Sequence, residues 1–309
     1  MAANVESMFY VRKPVWHGMG TRVEEALTSQ DALHYSGLDW TVKQEPLMTE
    51  TFKDVPGFKA NVRSDNGAIL GIVSDKYKVV QNHEAFAFTD ALIGEGVRYE
   101  TAGSLNGGRR VWMLAKLPER YHLMGEAVDP YIVFTSSHDG SGAIRVAPTP
   151  VRVVCQNTLN LALTTAKRSW SMMHTRGVQA KLDEAHDALF RADLYMKALQ
   201  NEAERLSLKA VSDCQVMKWI DELITLEDDA TEKQMENVAK LRNDLKMRYF
   251  EAPDLVALPK NGWRFVNAVS DHATHVQPLR NREDYQENLF KKTIEGHPLI
   301  DKAMMLLAA

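Results

Sequence analysis

Ser136, Ser137, His138 and Asp139 stand side by side in the chain. These residue types supply the nucleophile, the base and the orienting carboxylate of covalent catalysis. Catalysis needs those side chains to converge in space, and neighbours on one turn seldom do. The run continues as Gly140-Ser141-Gly142, which is turn chemistry. The reading is therefore a turn, with His138, Asp139 and, further on, Asn157 as an anion or turn site. No catalytic residue is assigned, and an enzyme working through His138-Asp139 with Ser136 or Ser137 is the least favoured reading. His138-Asp139 offers two metal-ligand types and His272-x-x-His275 two imidazoles on one helical face. Two ligands do not hold a metal, and no Glu stands between the latter pair as in His-Glu-x-x-His. Cys155 and Cys214 form no Cys-x-x-Cys, so both are expected as buried free thiols. No metal, nucleotide or other cofactor is expected.

The chain's net charge of −4 hides a polarity. From Arg98 to Arg176 there are ten basic residues (Arg98, Arg109, Arg110, Lys116, Arg120, Arg145, Arg152, Lys167, Arg168, Arg176) against five acidic ones. From Gly177 to Lys260 twelve basic residues face seventeen acidic ones. Eight of the central ten are Arg, suited to forked phosphate contacts and to stacking on bases. Arg109, Arg110, Arg145, Arg152 and Arg168 are therefore candidate phosphate contacts, with Trp112 and Tyr131 as candidate stacking platforms and Trp170 nearby. The competing reading is a solvated sheet face whose cations pair with the protein's own acidic helices. Gly103 to Arg110 is Gly-rich but lacks the Gly-Lys-Ser/Thr of a Walker loop and the Gly-x-Gly-x-x-Gly of a dinucleotide turn. The strand-like alternation after it makes it a hairpin turn presenting Arg109 and Arg110. Gln156, Asn157 and Asn160 sit where a strand passes into a helix, whose N-terminus favours anions.

The elements that must position these residues fall into two regions, 1–176 and 177–309. The first reads as an antiparallel sheet built from hairpins with packed helices. A helix is expected from Ser29 to Tyr35, ending at Gly37, and a strand at Trp40–Gln44. Asn66-Gly67 joins strands Phe58–Arg63 and Ala68–Val73, and Lys76–Val80 continues as strand. Asn82 can cap a helix reaching Ile93. Asn106-Gly107-Gly108 joins Val97–Leu105 to Arg109–Leu117, and the His138–Gly142 turn joins Tyr131–Ser136 to Ala143–Val154. Pro148 and Pro150 make the middle of that last arm an edge or a bulge. A helix over Asn157–Lys167 and a short strand at Trp170–His174 follow. Trp16-His17-Gly18-Met19-Gly20 either docks the N-terminal arm or bears on a ligand.

In the second region Leu182, Ala185, Leu189, Ala192, Met196, Leu199, Ala203 and Leu206 repeat every 3 or 4 residues. That is the heptad seam of a long helix, and it suggests a homo-oligomer. Further helices are expected at Ser212–Leu226, Thr231–Phe250, Trp263–His275 and Glu287–Leu307. The fold class is α+β with a helical C-terminal region. With 309 residues, 45% hydrophobic and 25% charged, the composition excludes collagen-like, disulfide-scaffold and largely disordered chains. No run nears the about 18 apolar residues of a spanning helix, and the N-terminus has no signal-peptide pattern. The expectation is a protein of a bacterial host's cytoplasm with no membrane partner.

Trp16-His17-Gly18, Gly37-Leu38-Asp39-Trp40, Tyr77-x-Val79-Val80-Gln81-Asn82 and Glu100-Thr-Ala-Gly-Ser-Leu105 together resemble the phage/plasmid-like proteins of domain-of-unknown-function family 932. Gly108-Arg109-Arg110-Val111-Trp112, Ser137-His138-Asp139-Gly140-Ser141, the Pro148–Asn160 run and Asn267-Ala268-Val269-x-Asp271-His272 extend the resemblance over nearly the whole chain. The resemblance implies no activity, only a context of phages, plasmids and other mobile DNA. The order of elements is also similar to ring-forming single-strand annealing proteins, a likeness of layout alone. The function expected is a phage or plasmid DNA-metabolism protein that binds single-stranded nucleic acid, in recombination or annealing. The alternative is a non-enzymatic interaction factor of a mobile element that binds a host protein through its acidic helices.

Overall fold

The computed structural model describes residues 5–11, 20–25, 28–86, 98–152, 170–174, 187–276 and 296–308, with 279 and 292. The chain is α+β, with two sheets and a helical C-terminal region. It forms two compact units: Met1–Pro118, Tyr131–Pro148 and Arg168–Asp193 make the first, and Glu119–Pro130, Thr149–Lys167 and Leu194–Ala309 the second. These units are interleaved along the chain.

The larger sheet has eight strands: β1 (Val5–Tyr10), β2 (Thr21–Arg22), β6 (Arg98–Leu105), β7 (Arg110–Lys116), β8 (Tyr121–Leu123), β9 (Glu126–Ser137), β10 (Ile144–Arg152) and β11 (Trp170–Met172). Their order is β11-β10-β9-β7-β6-β1-β2, with β8 paired to β9. The β6–β7 hairpin turns where the sequence demands it, because Asn106, Gly107 and Gly108 all take positive φ. The pairing of β10 with β11 covers Ile144–Val146 and stops short of Pro148, whose ring offers no N–H to a ladder. In the first unit, Val111, Met113, Ala115, Ile132, Phe134, Ile144 and Val146 point into one apolar core with Phe9, Tyr99 and Ala102.

The smaller sheet runs β3 (Val42–Met48), β4 (Asp54–Arg63), β5 (Ile69–Ser74) in that order. Before it, α1 (Ser29–Ser36) opens on a Thr28/Asp31 capping box and ends at Gly37 in the left-handed conformation, the latter as the sequence predicts. Lys76–Val80 is not a strand but a loop. There the Gln81 side chain replaces a strand partner, accepting from the Val42 N–H at 2.8 Å and donating to its C=O at 2.9 Å.

The second unit's core contains the seam. In α2 (Asp187–Leu208), Met196, Leu199, Ala203 and Leu206 are all 0% exposed. They pack with α3 (Asp213–Leu223), α4 (Glu232–Glu251), α5 (Gly262–His275) and α6 (Pro298–Ala308). These four seam positions are therefore satisfied within the chain and offer nothing to a partner helix. Leu182 and Ala185 lie outside the described residues, as does the expected helix 157–167. Cys214 is exposed, not buried, because it occupies the solvent side of the first turn of α3. No helix among the described residues is long and apolar enough to cross a membrane.

Candidate functional site

The turn after β9 is a polar centre of the first unit. Ser137, His138 and Asp139 do not converge. The Ser137 hydroxyl donates to the Gly142 C=O and accepts from its N–H, both at 2.9 Å. Asp139 Oδ1 accepts from the Ser141 N–H at 2.8 Å, an Asx turn. His138 turns the other way, with Nε2 2.9 Å from Asn82 Oδ1. Its backbone N–H donates to the Arg109 C=O at 2.7 Å, and its C=O accepts from Asn61 Nδ2 at 2.6 Å.

The network fixes the His138 proton. Asn82 Nδ2 donates to the Leu38 and Trp40 carbonyls at 3.1 and 3.3 Å, so its oxygen faces the imidazole and Nε2 carries the hydrogen. Nδ1 is then a bare acceptor, buried without a hydrogen-bond partner among the described residues. His138 is 0% exposed. Burial lowers its pKa to about 3, with repulsion from His174 and Arg63 adding and Asp139 opposing. A neutral, sealed imidazole cannot serve as an anion site, and that part of the sequence reading is corrected. Asn82 likewise does not cap the helical turn 82–86. Its side chain is committed to this network, and Gln81, whose N–H donates to Glu84 at 2.9 Å, stands at the cap.

A second imidazole lies close by. His174 Nδ1 is 3.0 Å from the Lys78 C=O, which can only accept, so Nε2 is the acceptor facing the Ser136 hydroxyl at 3.5 Å. This has the connectivity of a nucleophile, a base and an orienting carbonyl. Yet Ser136 and His174 are 1% and 4% exposed, and burial lowers His174 to about 4. A long hydrogen bond and a weak base shut off from solvent hold the strand end together; they do not make a hydrolytic centre. Tyr77 stacks on His174 with centroids 4.5 Å apart and donates to the Ser137 C=O at 2.6 Å. No sequence pattern marks His174, 38 residues from Ser136. Arg63 was equally invisible. It is 4% exposed, paired to Glu6 and Asp65 at 2.5 and 2.7 Å, and lies over Trp40 at 4.4 Å.

Four of the motifs that carry the family resemblance, those at Gly37–Trp40, Tyr77–Asn82, Gly108–Trp112 and Ser137–Ser141, thus meet in space. Trp40 sits edge-on to His138 at 5.4 Å, while Tyr77, Gln81, Asn82, Arg109, Ser137 and His138 share the hydrogen bonds just described. Close packing requires Gly71, where a Cβ would stand 2.6 Å from the Asp139 Cα.

The candidate cations lie on the other face of the same sheet. Alternation from the core residues of β7 puts Arg110, Trp112, Leu114 and Lys116 opposite the core. The register sets Arg98 against Lys116 and Lys116 against Tyr131, so these three form one row across β6, β7 and β9. Arg110 pairs with Ser137 at the far end of β7, and Arg145, between core residues Ile144 and Val146, projects to the same side. Arg109 is exposed at the hairpin end, and Arg110, Lys116, Tyr131 and Arg145 are half-buried. Arg98 is 70% exposed and 3.5 Å from Glu25, and Arg120 is 2.8 Å from Asp129; both acids belong to the β-rich half rather than to the acidic helices. Trp112 is only 1% exposed. Its ring offers no surface to a base, so Trp112 is a packing residue and not a stacking platform. Arg168, Asn157 and the side chains of Arg152 and Trp170 lie outside the described residues.

In the second unit, His272 and His275 do not pair on a metal. Each Nδ1 meets a carboxylate, Asp244 at 2.6 Å and Asp271 at 2.9 Å, and Arg248 bridges the two acids. Among the described residues no group of three or more His, Cys, Asp or Glu is placed to hold a metal ion.

Fold and site together define an α+β protein with a sealed polar knot at one end of its main sheet and cations along the opposite face. The chain belongs to the family described as a domain of unknown function (DUF932), which matches residues 69–294. That stretch begins at β5, so the motifs at Trp16 and Gly37–Trp40 lie before it. No curated protein and no solved structure matches the chain.

Proposed function

We propose that the protein binds single-stranded nucleic acid along the cation-bearing face of its eight-stranded sheet, as a phage or plasmid DNA-metabolism protein in recombination or annealing. One observation carries the reading: Arg98 and Lys116 stand directly opposite each other with Tyr131 completing their row. Two cations and an aromatic ring in one cross-strand row are the residue types that contact phosphate and stack on a base. Arg98 is 70% exposed, and its 3.5 Å contact with Glu25, itself 40% exposed, is of the weak surface kind. Arg110, Arg145 and Arg109 form the other end of the track. Lys116 lies six positions along β7 from Arg110, about 20 Å at the rise of a strand, a span of several nucleotides. Tyr131 is an aromatic on this face with access to solvent, and it replaces Trp112 as the stacking residue.

Anisotropy titrations of a labelled single strand over a series of salt concentrations test this. Each phosphate contact adds about −0.7 to the slope of log K against log salt. Replacing Arg109, Arg110 and Lys116 together by Ala should therefore flatten it by about 2. An unchanged slope would remove these residues from the interface.

A further inference from the structure

The buried seam leaves the matter of self-association to other surfaces, and the three-stranded sheet offers one. Its inner face carries Asn61, Arg63, Gly71 and Val73 toward the knot. The bulge between Asn61 and Val62 turns both Leu70 and Gly71 inward. Its outer face shows Phe58, Ile69 and Ile72 at 51%, 61% and 62% exposure, with the smaller Ala60 and Val62 buried between them at 5% and 8%. Three large apolar side chains more than half exposed on one small sheet form a patch, which solvent alone does not favour.

The charges flanking the patch say what covers it. Two rows cross the sheet: Lys43–Val62–Ile69 and Glu45–Ala60–Ile72. They match in kind, apolar opposite apolar, but end in opposite charges. A two-fold axis lying across the strands midway between the rows would superpose each row on the other row of a second copy. Lys43 would then meet the partner copy's Glu45, twice, while Ile69 meets Ile72 over the buried Val62 and Ala60. This is the self-complementarity an isologous interface requires.

We infer that two copies of this chain associate face to face through their β3–β4–β5 sheets, with the Lys43 and Glu45 side chains setting the register. The inference stands apart from the nucleic-acid reading. Three strands about 4.8 Å apart and some five residues long give a contact plane of only about 250 Å² per copy. A stable interface buries about 800 Å² per partner. The dimer is accordingly a reversible one that forms and dissociates with concentration.

Sedimentation velocity on the full chain, over two orders of magnitude in concentration, reads this directly. The expected result is a monomer–dimer equilibrium in the wild type and loss of the dimer in Ile72→Glu. Lys43→Glu should weaken association about tenfold or more by opposing two carboxylates, and adding Glu45→Lys should restore it. Circular dichroism checks folding, and the charge swap decides if Ile72→Glu fails to fold, since Lys43 and Glu45 are both exposed. A wild-type monomer throughout, a dimer indifferent to Ile72→Glu, or a double swap that fails to rescue would each overturn the proposal.

Discussion

Lowering the pH from 7 to 5 should cost this protein about 4 kcal/mol of stability through His138 and His174 together. Their side chains are 0% and 4% exposed, and burial lowers their pKa values to about 3 and about 4. In the unfolded chain both titrate near 6.5. Between that value and the folded ones the unfolded state holds two more protons than the native state, so stability falls as pH falls. Each histidine contributes about 1.4 kcal/mol per pH unit once the pH is well below 6.5, about 2 kcal/mol when integrated from pH 7 to 5. Asp65, Asp244 and Asp271, whose pKa values are also lowered, titrate below this window and leave it nearly untouched. The loss is large against a typical total of about 5–15 kcal/mol. Urea unfolding followed by circular dichroism at the two pH values measures it. A His138→Gln, His174→Gln variant should be less stable at pH 7 and lose most of the pH difference, His297, lowered to about 4 by burial, keeping a share. A wild type whose stability differs by less than about 1 kcal/mol between the two would show that both imidazoles protonate freely in the native state, refuting the sealed neutral pair.

Asn82→Ala removes three hydrogen bonds and strands two carbonyls and the His138 Nε2–H, so a loss of roughly 3 kcal/mol or more is expected in the same unfolding assay. Gly71→Ala forces a methyl group against the Asp139 backbone, and should cost about 1–3 kcal/mol by displacing the turn. Trp112→Ala should behave as a core truncation, about 3–5 kcal/mol in urea, while single-strand affinity measured where the variant is still folded stays unchanged. Tyr131→Ala should do the reverse, weakening single-strand binding by about 1–3 kcal/mol in anisotropy titrations with little change in the unfolding midpoint.

What was legible in the sequence was what local chemistry decides. The hairpin turns at Asn66-Gly67 and Asn106-Gly107-Gly108, the Gly37 end of α1 and the periodicity of α2 all lie where residue types place them. β1 was not legible, because Val5–Tyr10 mixes polar and apolar residues and pairs with β6 over 90 positions away. β8 was missed because its turn rests on Met124, a residue rarely found at positive φ, beside Gly125. Lys76–Val80 looks like a strand because Tyr77 and Val80 do point inward. Its backbone instead serves Lys78, whose N–H donates to the His174 C=O at 2.9 Å. Within the site, alternation gave the two faces of β7 but not how deeply Trp112 is buried on the second, so Trp112 read as a platform. The knot itself joins Asn61, Asn82, Ser136, His138 and His174 across long separations, which spacing along one chain does not encode.

The most direct test of the central claim is a titration of nuclease-treated protein into a labelled single strand and its duplex, at low and at physiological salt. The account predicts binding that prefers the single strand and weakens steeply as salt rises. Flat traces at low salt would contradict it, and would remove the row of Arg98, Lys116 and Tyr131 from any nucleic-acid interface.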